Sequence, residues 1–126
     1  MIIEGFAFSM KGRAVYQLAG LQYLVRHLLF KKTIPFKLVT PNQAKKFLTG
    51  KHNCDKNLVL KEVLKRYQLD LDDDNIADAV NMNKIGQAIL GLMELDNQAQ
   101  REVVAELRSA PAPKKKRTKE AIHITA

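Results

Sequence analysis

The chain of 126 residues has 46% hydrophobic and 27% charged side chains, with 21 Lys and Arg against 13 Asp and Glu. This length supports one compact domain at most, and the composition is typical of a folded globular protein. No stretch approaches the roughly 20 consecutive apolar residues of a membrane span. Glu4 also stands where a signal peptide would be basic and then apolar, so we expect neither export nor membrane insertion. The single cysteine, Cys54, excludes an internal disulfide and favours a reducing, cytoplasmic compartment.

The charges are distributed in blocks along the chain. Residues 1–68 have 13 basic and 3 acidic side chains (net +10), residues 69–108 have 3 and 9 (net −6), and residues 109–126 have 5 and 1 (net +4). A basic body attracts polyanions, but an acidic block within it repels them unless cations intervene. The distribution therefore favours a nuclease that uses a divalent metal. The alternative is that both blocks are solvated surface.

The first third of the chain predicts a strand, a long helix and a second strand. Residues 1–3 are apolar and read as a buried strand that ends at Glu4 and Gly5. Over residues 12–32 the apolar side chains recur at helical spacing, and they form an apolar face wider than a single stripe along the helix. We expect this helix to be buried on two sides or to pair with a partner. Residues 35–39 predict the second strand.

Four shorter helices are predicted in the remainder. Thr40, Pro41 and Gln43 supply an N-cap, a first-turn proline and a capping-box residue for a helix that should stop at Gly50. Asp55 caps the next helix. The third follows an acidic loop over residues 68–74, begins near Asn75 and runs to about residue 93. The last covers residues 97–108. The proline-broken basic stretch over residues 109–126 predicts a disordered tail that could bind phosphates non-specifically.

Acidic residues from separate segments could converge at one place. Glu4 ends a strand, the run Asp72-Asp73-Asp74-Asn75 enters a helix, and Asp78 lies one turn further along that helix. Sites in α/β proteins form beyond the carboxyl ends of strands. Carboxylates gathered there suit Mg²⁺ or Mn²⁺, and two such ions support phosphodiester hydrolysis. The alternative is an Asp-rich loop whose acids cap a helix.

Taken together, these segments resemble the RuvC-type Holliday junction resolvases, specifically their phage-encoded branch. The matching segments are residues 2–14 (Ile-Ile-Glu-Gly-Phe-Ala-Phe-Ser-Met-Lys-Gly-Arg-Ala), Pro41 with residues 45–50 (Lys-Lys-Phe-Leu-Thr-Gly), Asp55-Lys56, and residues 74–79 (Asp-Asn-Ile-Ala-Asp-Ala). The resemblance covers residues 1 to about 93. It implies an RNase H-like α/β fold over residues 1–108, mostly helical with a small parallel sheet. It also implies a homodimer in a bacterial or phage-infected cell that nicks branched DNA with Mg²⁺ or Mn²⁺.

The resemblance also implies roles for individual residues. Glu4 matches the strand-end metal carboxylate and Asp78 the last acid of a helix-borne pair. The other member of that pair falls on Asn75 by spacing, and Asp74 beside it is the alternative metal ligand. Lys56 matches a lysine near the scissile phosphate. The DNA-binding residues implied are Phe6, Phe8, Lys11, Arg13, Lys45, Lys46, Lys51 and Lys56, and the helix over residues 12–32 would supply much of the dimer interface.

The chain departs from the family pattern at its start. Family members have a strand bearing an Asp before the segment that begins here at Met1, and no residue of this chain matches that Asp. We therefore expect the C-terminal part of a resolvase that lacks the N-terminal strands and is incomplete as a catalyst, through a late assigned start, a split gene or a decayed gene. A separate N-terminal fragment is one partner that could complete it. The alternative function is a non-catalytic basic module for DNA binding or dimerisation.

Overall fold

The computed structural model of the protein describes residues 1–5 and 12–109. Their secondary-structure elements, in chain order, are β1 (Ile2–Glu4), α1 (Arg13–Lys31), β2 (Lys37–Val39), α2 (Pro41–Thr49), α3 (Lys56–Tyr67), α4 (Asp74–Ile89) and α5 (Gln98–Arg108). This part of the chain is α/β and mostly helical with a small parallel sheet, as the sequence predicts.

The two strands pair in parallel, with Ile2 opposite Lys37 and Glu4 opposite Val39. The N–H of Lys37 donates to the carbonyl of Met1 at 2.9 Å, and the N–H of Gly5 donates to that of Val39 at 2.7 Å. Backbone groups alternate in direction along a strand. The backbone N–H and C=O groups of the odd-numbered residues along β1 therefore face β2. The backbone groups of Ile2 and Glu4 point away from it. The prediction that this strand is buried is wrong, because Ile2 is only half-buried. Among the described residues, β1 has a neighbouring strand on one side.

Side-chain caps fix where the helices begin, largely as predicted. Thr40 forms the complete capping box with Gln43 ahead of α2, and the Asp55 carboxylate accepts from the N–H of Leu58 at 2.7 Å ahead of α3. Asp73 caps α4, and Asn97 caps α5. These caps can be predicted from the sequence because each capping side chain accepts a hydrogen bond from a backbone N–H no more than three residues away.

The end of α4 differs from the prediction. The helix stops at Ile89 rather than near residue 93 because Gly91 adopts a left-handed conformation with φ of 72°. The N–H groups of Gly91 and Leu92 then bond back to the carbonyls of Ala88 and Gln87. Leu92 consequently lies in a turn.

Two buried clusters share α2 and α4. The first joins β2, α2, α4 and α5 and contains Val39, Phe47, Ile85, Ala88, Val103, Val104 and Leu107. The second joins α2, α3 and α4 and contains Leu48, Val59, Val63 and Ala77. Helices α2 and α4 are therefore held on both sides, which fixes the positions of the side chains at their N-terminal ends.

Helix α1 is packed differently. Leu29 is its one fully buried residue, so the prediction of burial on two sides is wrong within the described residues. Its exposed large side chains are Tyr16, Leu18, Leu21, Tyr23, Leu24, Leu28 and Phe30. The expectation that this helix pairs with a partner stays a prediction. Despite the length of α1, no helix within the described ranges is apolar enough to cross a membrane.

Candidate functional site

Strand β1 and helix α4 bring Glu4 and Asp78 to the same side of the molecule. A Cβ atom added to Gly86 would lie 3.1 Å from Ile2 Cγ1, so the face of β1 that carries Ile2 packs on α4. Glu4 is two residues after Ile2 and shares that face. Asp78 is two helical turns before Gly86 and shares its side of α4. The carboxyl end of β1 therefore lies beside the first turns of α4.

The electrostatic surroundings of Glu4 and Asp78 agree with this placement. Partial burial raises the pKa of Glu4, the negative charge of Asp78 raises it further, and the Lys45 ammonium opposes both. Partial burial likewise raises the pKa of Asp78, followed by the charge of Asp74, with Lys45 and Lys56 opposing. We call Glu4, Asp74, Asp78, Lys45 and Lys56 the acid–lysine group.

Asp74 is the first residue of α4, and it pairs with the first residue of α3. Lys56 Nζ lies 3.0 Å from Asp74 Oδ2, and this hydrogen bond and charge raise the pKa of Lys56. The Lys56 side chain is exposed, so the ion pair is screened by solvent and contributes little stability. Asn75 is exposed, and its backbone N–H donates to the capping carboxylate of Asp73 at 2.8 Å. Asp74, the charged one of the two alternatives for the helix-borne pair, raises the pKa of Asp78.

A buried asparagine that sequence reasoning missed positions Lys45. Asn81 is 2% exposed, and its Nδ2 donates to the carbonyl of Ala44 at 2.9 Å. This bond fixes α2 against α4 one residue from Lys45. Asn81 lies three residues after Asp78 in a helix, so a shared face was the available signal in the sequence.

Gln22 of α1 is a second residue that sequence reasoning missed. Its Nε2 donates to the backbone carbonyl of Glu4 at 2.6 Å, whereas its Oε1 is buried without a hydrogen-bond partner among the described residues. This contact ties α1 to the end of β1, beside the acid–lysine group.

The acids do not form a closed metal cage. Within residues 1–5 and 12–109, no three Asp, Glu, His or Cys side chains gather closely enough to hold a metal ion by themselves. The donor set nevertheless fits Mg²⁺, which keeps several waters and is bound through one or two carboxylates together with substrate phosphates. Glu4 and Asp78 are both exposed at the surface, and the negative charge of Asp78 raises the pKa of Glu4. A bound cation would offset that charge.

The other residues predicted to bind DNA are dispersed. Lys46 forms an ion pair with Glu102 of α5 at 2.7 Å and is therefore not part of the acid–lysine group. Arg13 is exposed at the start of α1, and Lys51 is exposed just after α2. Phe6, Phe8 and Lys11 lie outside the described residues, as do residues 110–126 of the predicted tail. Lys45 and Lys56 are the predicted DNA-binding lysines that the structure brings to the acids.

No protein-family model, curated protein or solved structure matches this chain.

Proposed function

We propose that the protein is a metal-dependent DNA endonuclease of the RuvC type, acting on Holliday junctions or other branched DNA. The observation that carries the proposal is the meeting of Glu4 and Asp78, which are 74 residues apart in the chain, next to Lys45 and Lys56. A mixed cluster of this kind can hold a cation through its acids and a phosphate through its lysines. The parallel pairing of β1 with β2 and the packing of α4 on β1 are compatible with the RNase H-like fold that we propose.

Each member of the acid–lysine group has a distinct role in this proposal. Glu4 and Asp78 would hold Mg²⁺ or Mn²⁺, and Asp74 adds negative charge from the same helix face. Such an ion would supply activation of a water and stabilisation of the leaving oxygen of the phosphodiester. Lys45 and Lys56 attract the scissile phosphate and offset the repulsion between the acids. Lys56 exchanges its ion pair with Asp74 for a phosphate oxygen as DNA arrives.

We further propose that the protein acts as a homodimer, with α1 at the interface. Leu21, Leu24 and Leu28 are all exposed and lie along one side of α1 at spacings of three and four residues. This spacing suits a seam between two helices. Two copies joined in this way would present two acid–lysine groups to one four-way junction.

A second candidate function is a non-catalytic module for DNA binding or dimerisation. It is favoured by the structural use of two acids, since Asp73 caps α4 and Asp74 pairs with Lys56. The described residues also lack a complete three-ligand metal group. In this alternative the lysines bind phosphates and the acids only stabilise the start of α4.

Binding and cleavage of a four-way junction distinguish the two candidates. We expect at least tenfold tighter binding to the junction than to linear duplex of the same sequence. When an N-terminal strand bearing an Asp is added, we also expect nicking in Mg²⁺ that Glu4→Gln abolishes. The matched control is Glu106→Gln, an exposed acid on α5, which should nick normally. Junction binding without nicking would favour the non-catalytic module. Equal binding to both DNAs, or nicking that survives Glu4→Gln, would overturn the endonuclease proposal.

A further inference from the structure

Three exposed aromatic side chains form a line along α1. Tyr16, Tyr23 and Phe30 are between 61% and 81% exposed, and they follow one another at intervals of seven residues. Seven residues make almost two helical turns, so the three rings lie on the same side of the helix, about 10 Å apart. We call these three residues the aromatic stripe.

The aromatic stripe is separate from the leucines that we place at the homodimer interface. With about 100° between successive residues of a helix, the line of exposed leucines lies about a third of a turn away around α1. Arg13, His27 and Lys31 are exposed and fall between the two lines. A dimer joined through the leucines therefore leaves the aromatic stripe uncovered.

The stretch of chain that contains the aromatic stripe is entirely basic. From residue 5 to residue 54 there is no Asp or Glu, and there are nine Lys and Arg. Arg26 lies over one face of the Tyr23 ring, with 4.8 Å between the guanidinium carbon and the ring centroid. Basic side chains therefore flank the stripe on both sides, with Arg26 on one side and Lys31 on the other. Such a surface attracts a polyanion.

A single strand of nucleic acid complements both the rings and the charge. Its bases stack on aromatic side chains whatever their sequence, and its phosphates bind the cations alongside. In a duplex the bases are stacked on one another, so an unpaired strand is the form that offers base faces. A helix that lies on a lipid surface has its apolar residues on one face and its cations on the other. Here the cations divide the leucines from the aromatic stripe, which does not suit a lipid surface.

We propose that the aromatic stripe binds single-stranded DNA, with bases stacked on its rings and phosphates held by the basic side chains on either side. At Tyr23 the base stacks on the ring face opposite Arg26. The choice of DNA over RNA rests on the proposed endonuclease function, whereas the site itself needs neither the acids nor a metal. Since Gln22 ties α1 to the carbonyl of Glu4, a strand on this helix would lie close to the acid–lysine group.

Binding of a labelled oligo(dT) of about 12 nucleotides to the full-length protein in EDTA tests the site. The triple change Tyr16→Leu, Tyr23→Leu and Phe30→Leu keeps exposed apolar side chains but removes the rings, and it should weaken binding at least tenfold. The matched control, Leu90→Ala with Leu92→Ala, alters exposed apolar residues outside α1 and should bind as the wild-type protein does.

Equal affinity in all three proteins, or no binding by the wild-type protein, would overturn the proposal. Tighter binding of oligo(rU) than of oligo(dT) would overturn the choice of DNA. If the triple variant instead loses binding to phosphatidylserine vesicles and keeps its binding to oligo(dT), α1 is a lipid-binding helix and the proposal is wrong. None of these results involves metal or cleavage, so they are distinct from failure of the endonuclease proposal.

The phosphate contacts have a separate readout in the salt dependence of binding. Lys31→Gln should lower the slope of log affinity against log salt concentration by about 0.7, the value for one phosphate contact with a single strand. The matched control is Lys65→Gln, an exposed lysine in the last turn of α3, which should leave the slope unchanged. An unchanged slope for Lys31→Gln would show that the strand does not follow the basic flank of the stripe.

Tyrosine fluorescence reports the stacking itself, because the chain has no Trp. After correction for absorption by the oligonucleotide, oligo(dT) should quench the emission of the wild-type protein. Tyr16→Leu with Tyr23→Leu should remove most of this quenching, since the remaining tyrosine, Tyr67, is only partly exposed. The same fractional quenching in both proteins would show that the tyrosines of α1 do not stack on bases.

Discussion

Helix α1 and the helices α2–α5 use their apolar residues in opposite ways. Phe47 of α2 is completely buried, whereas Phe30 of α1 is 79% exposed and Tyr16 is 81% exposed. Both regions have apolar side chains at helical spacing, so the pattern alone does not distinguish them. The difference arises because α2 and α4 have helices on both sides, whereas α1 contacts the described residues mainly near Gln22 and Leu29. Apolar periodicity thus identifies the residues that favour burial without identifying what covers them.

Truncating the core should have the largest effect. Phe47→Ala is expected to lower the free energy of unfolding by about 3–5 kcal/mol, because it leaves a cavity among fully buried neighbours. Phe30→Ala on α1 should change it by about 0.5 kcal/mol or less, as for other exposed side chains. Urea denaturation followed by circular dichroism measures both. A similar cost for the two variants would contradict the contrast between the regions.

The contact between α2 and α4 should have the next largest effect. Asn81→Ala removes the buried hydrogen bond to Ala44 and should cost about 1–3 kcal/mol. Asn83→Ala, two residues along the same helix but exposed, is the matched control and should be close to neutral. If Asn81→Ala unfolds at the same urea concentration as the wild-type protein, this bond does not hold the two helices together.

The exposed leucines of α1 test whether a second copy covers this helix. Leu21→Glu together with Leu28→Glu should weaken self-association at least tenfold, since each copy would place carboxylates in the seam. Gln17→Glu with His27→Glu adds the same acids at exposed polar positions of α1 and should have a smaller effect. Sedimentation equilibrium measures the dissociation constant. A wild-type protein that is monomeric at high micromolar concentration would contradict the homodimer.

The smallest effect concerns the pH dependence of stability. Because the pKa of Asp78 is raised in the folded state, the folded protein binds this proton more tightly than the unfolded chain does. The resulting stabilisation is complete below the ordinary value of 3.8 and is lost as the pH rises through the higher folded-state value. Asp78→Asn should therefore raise the Tm at pH 7, and this gain should shrink on acidification to pH 4. A lower Tm for the variant at both pH values would contradict the assignment.

The parts of the fold that depend on short-range chemistry could be predicted from the sequence. Thr40 with Gln43, Asp55 and Gly50 fix the ends of α2 and the start of α3 through bonds within one helical turn. The left-handed turn at Gly91 was missed because the apolar pattern continues through Leu92 and Met93. Glycine within a helical pattern signals such an end only weakly.

The candidate site was only partly predictable for a related reason. Glu4 and Asp78 could be singled out because acidic residues near element ends follow a recognisable pattern, whereas Lys56 was singled out through the family resemblance alone. The coupling of Asp74 with Lys56, and the role of Asn81, depend on how α2, α3 and α4 pack together. Such long-range contacts leave no periodic trace in one sequence.

The central claim is that Glu4 and Asp78 bind one divalent cation together. Titration calorimetry of the full-length protein with Mn²⁺ at pH 7 tests it most directly. The account predicts measurable Mn²⁺ binding that either Glu4→Gln or Asp78→Asn removes, while the exposed loop variant Asp70→Asn binds as the wild-type protein does. Binding that persists in both site variants, or no binding to the wild-type protein, would contradict the account.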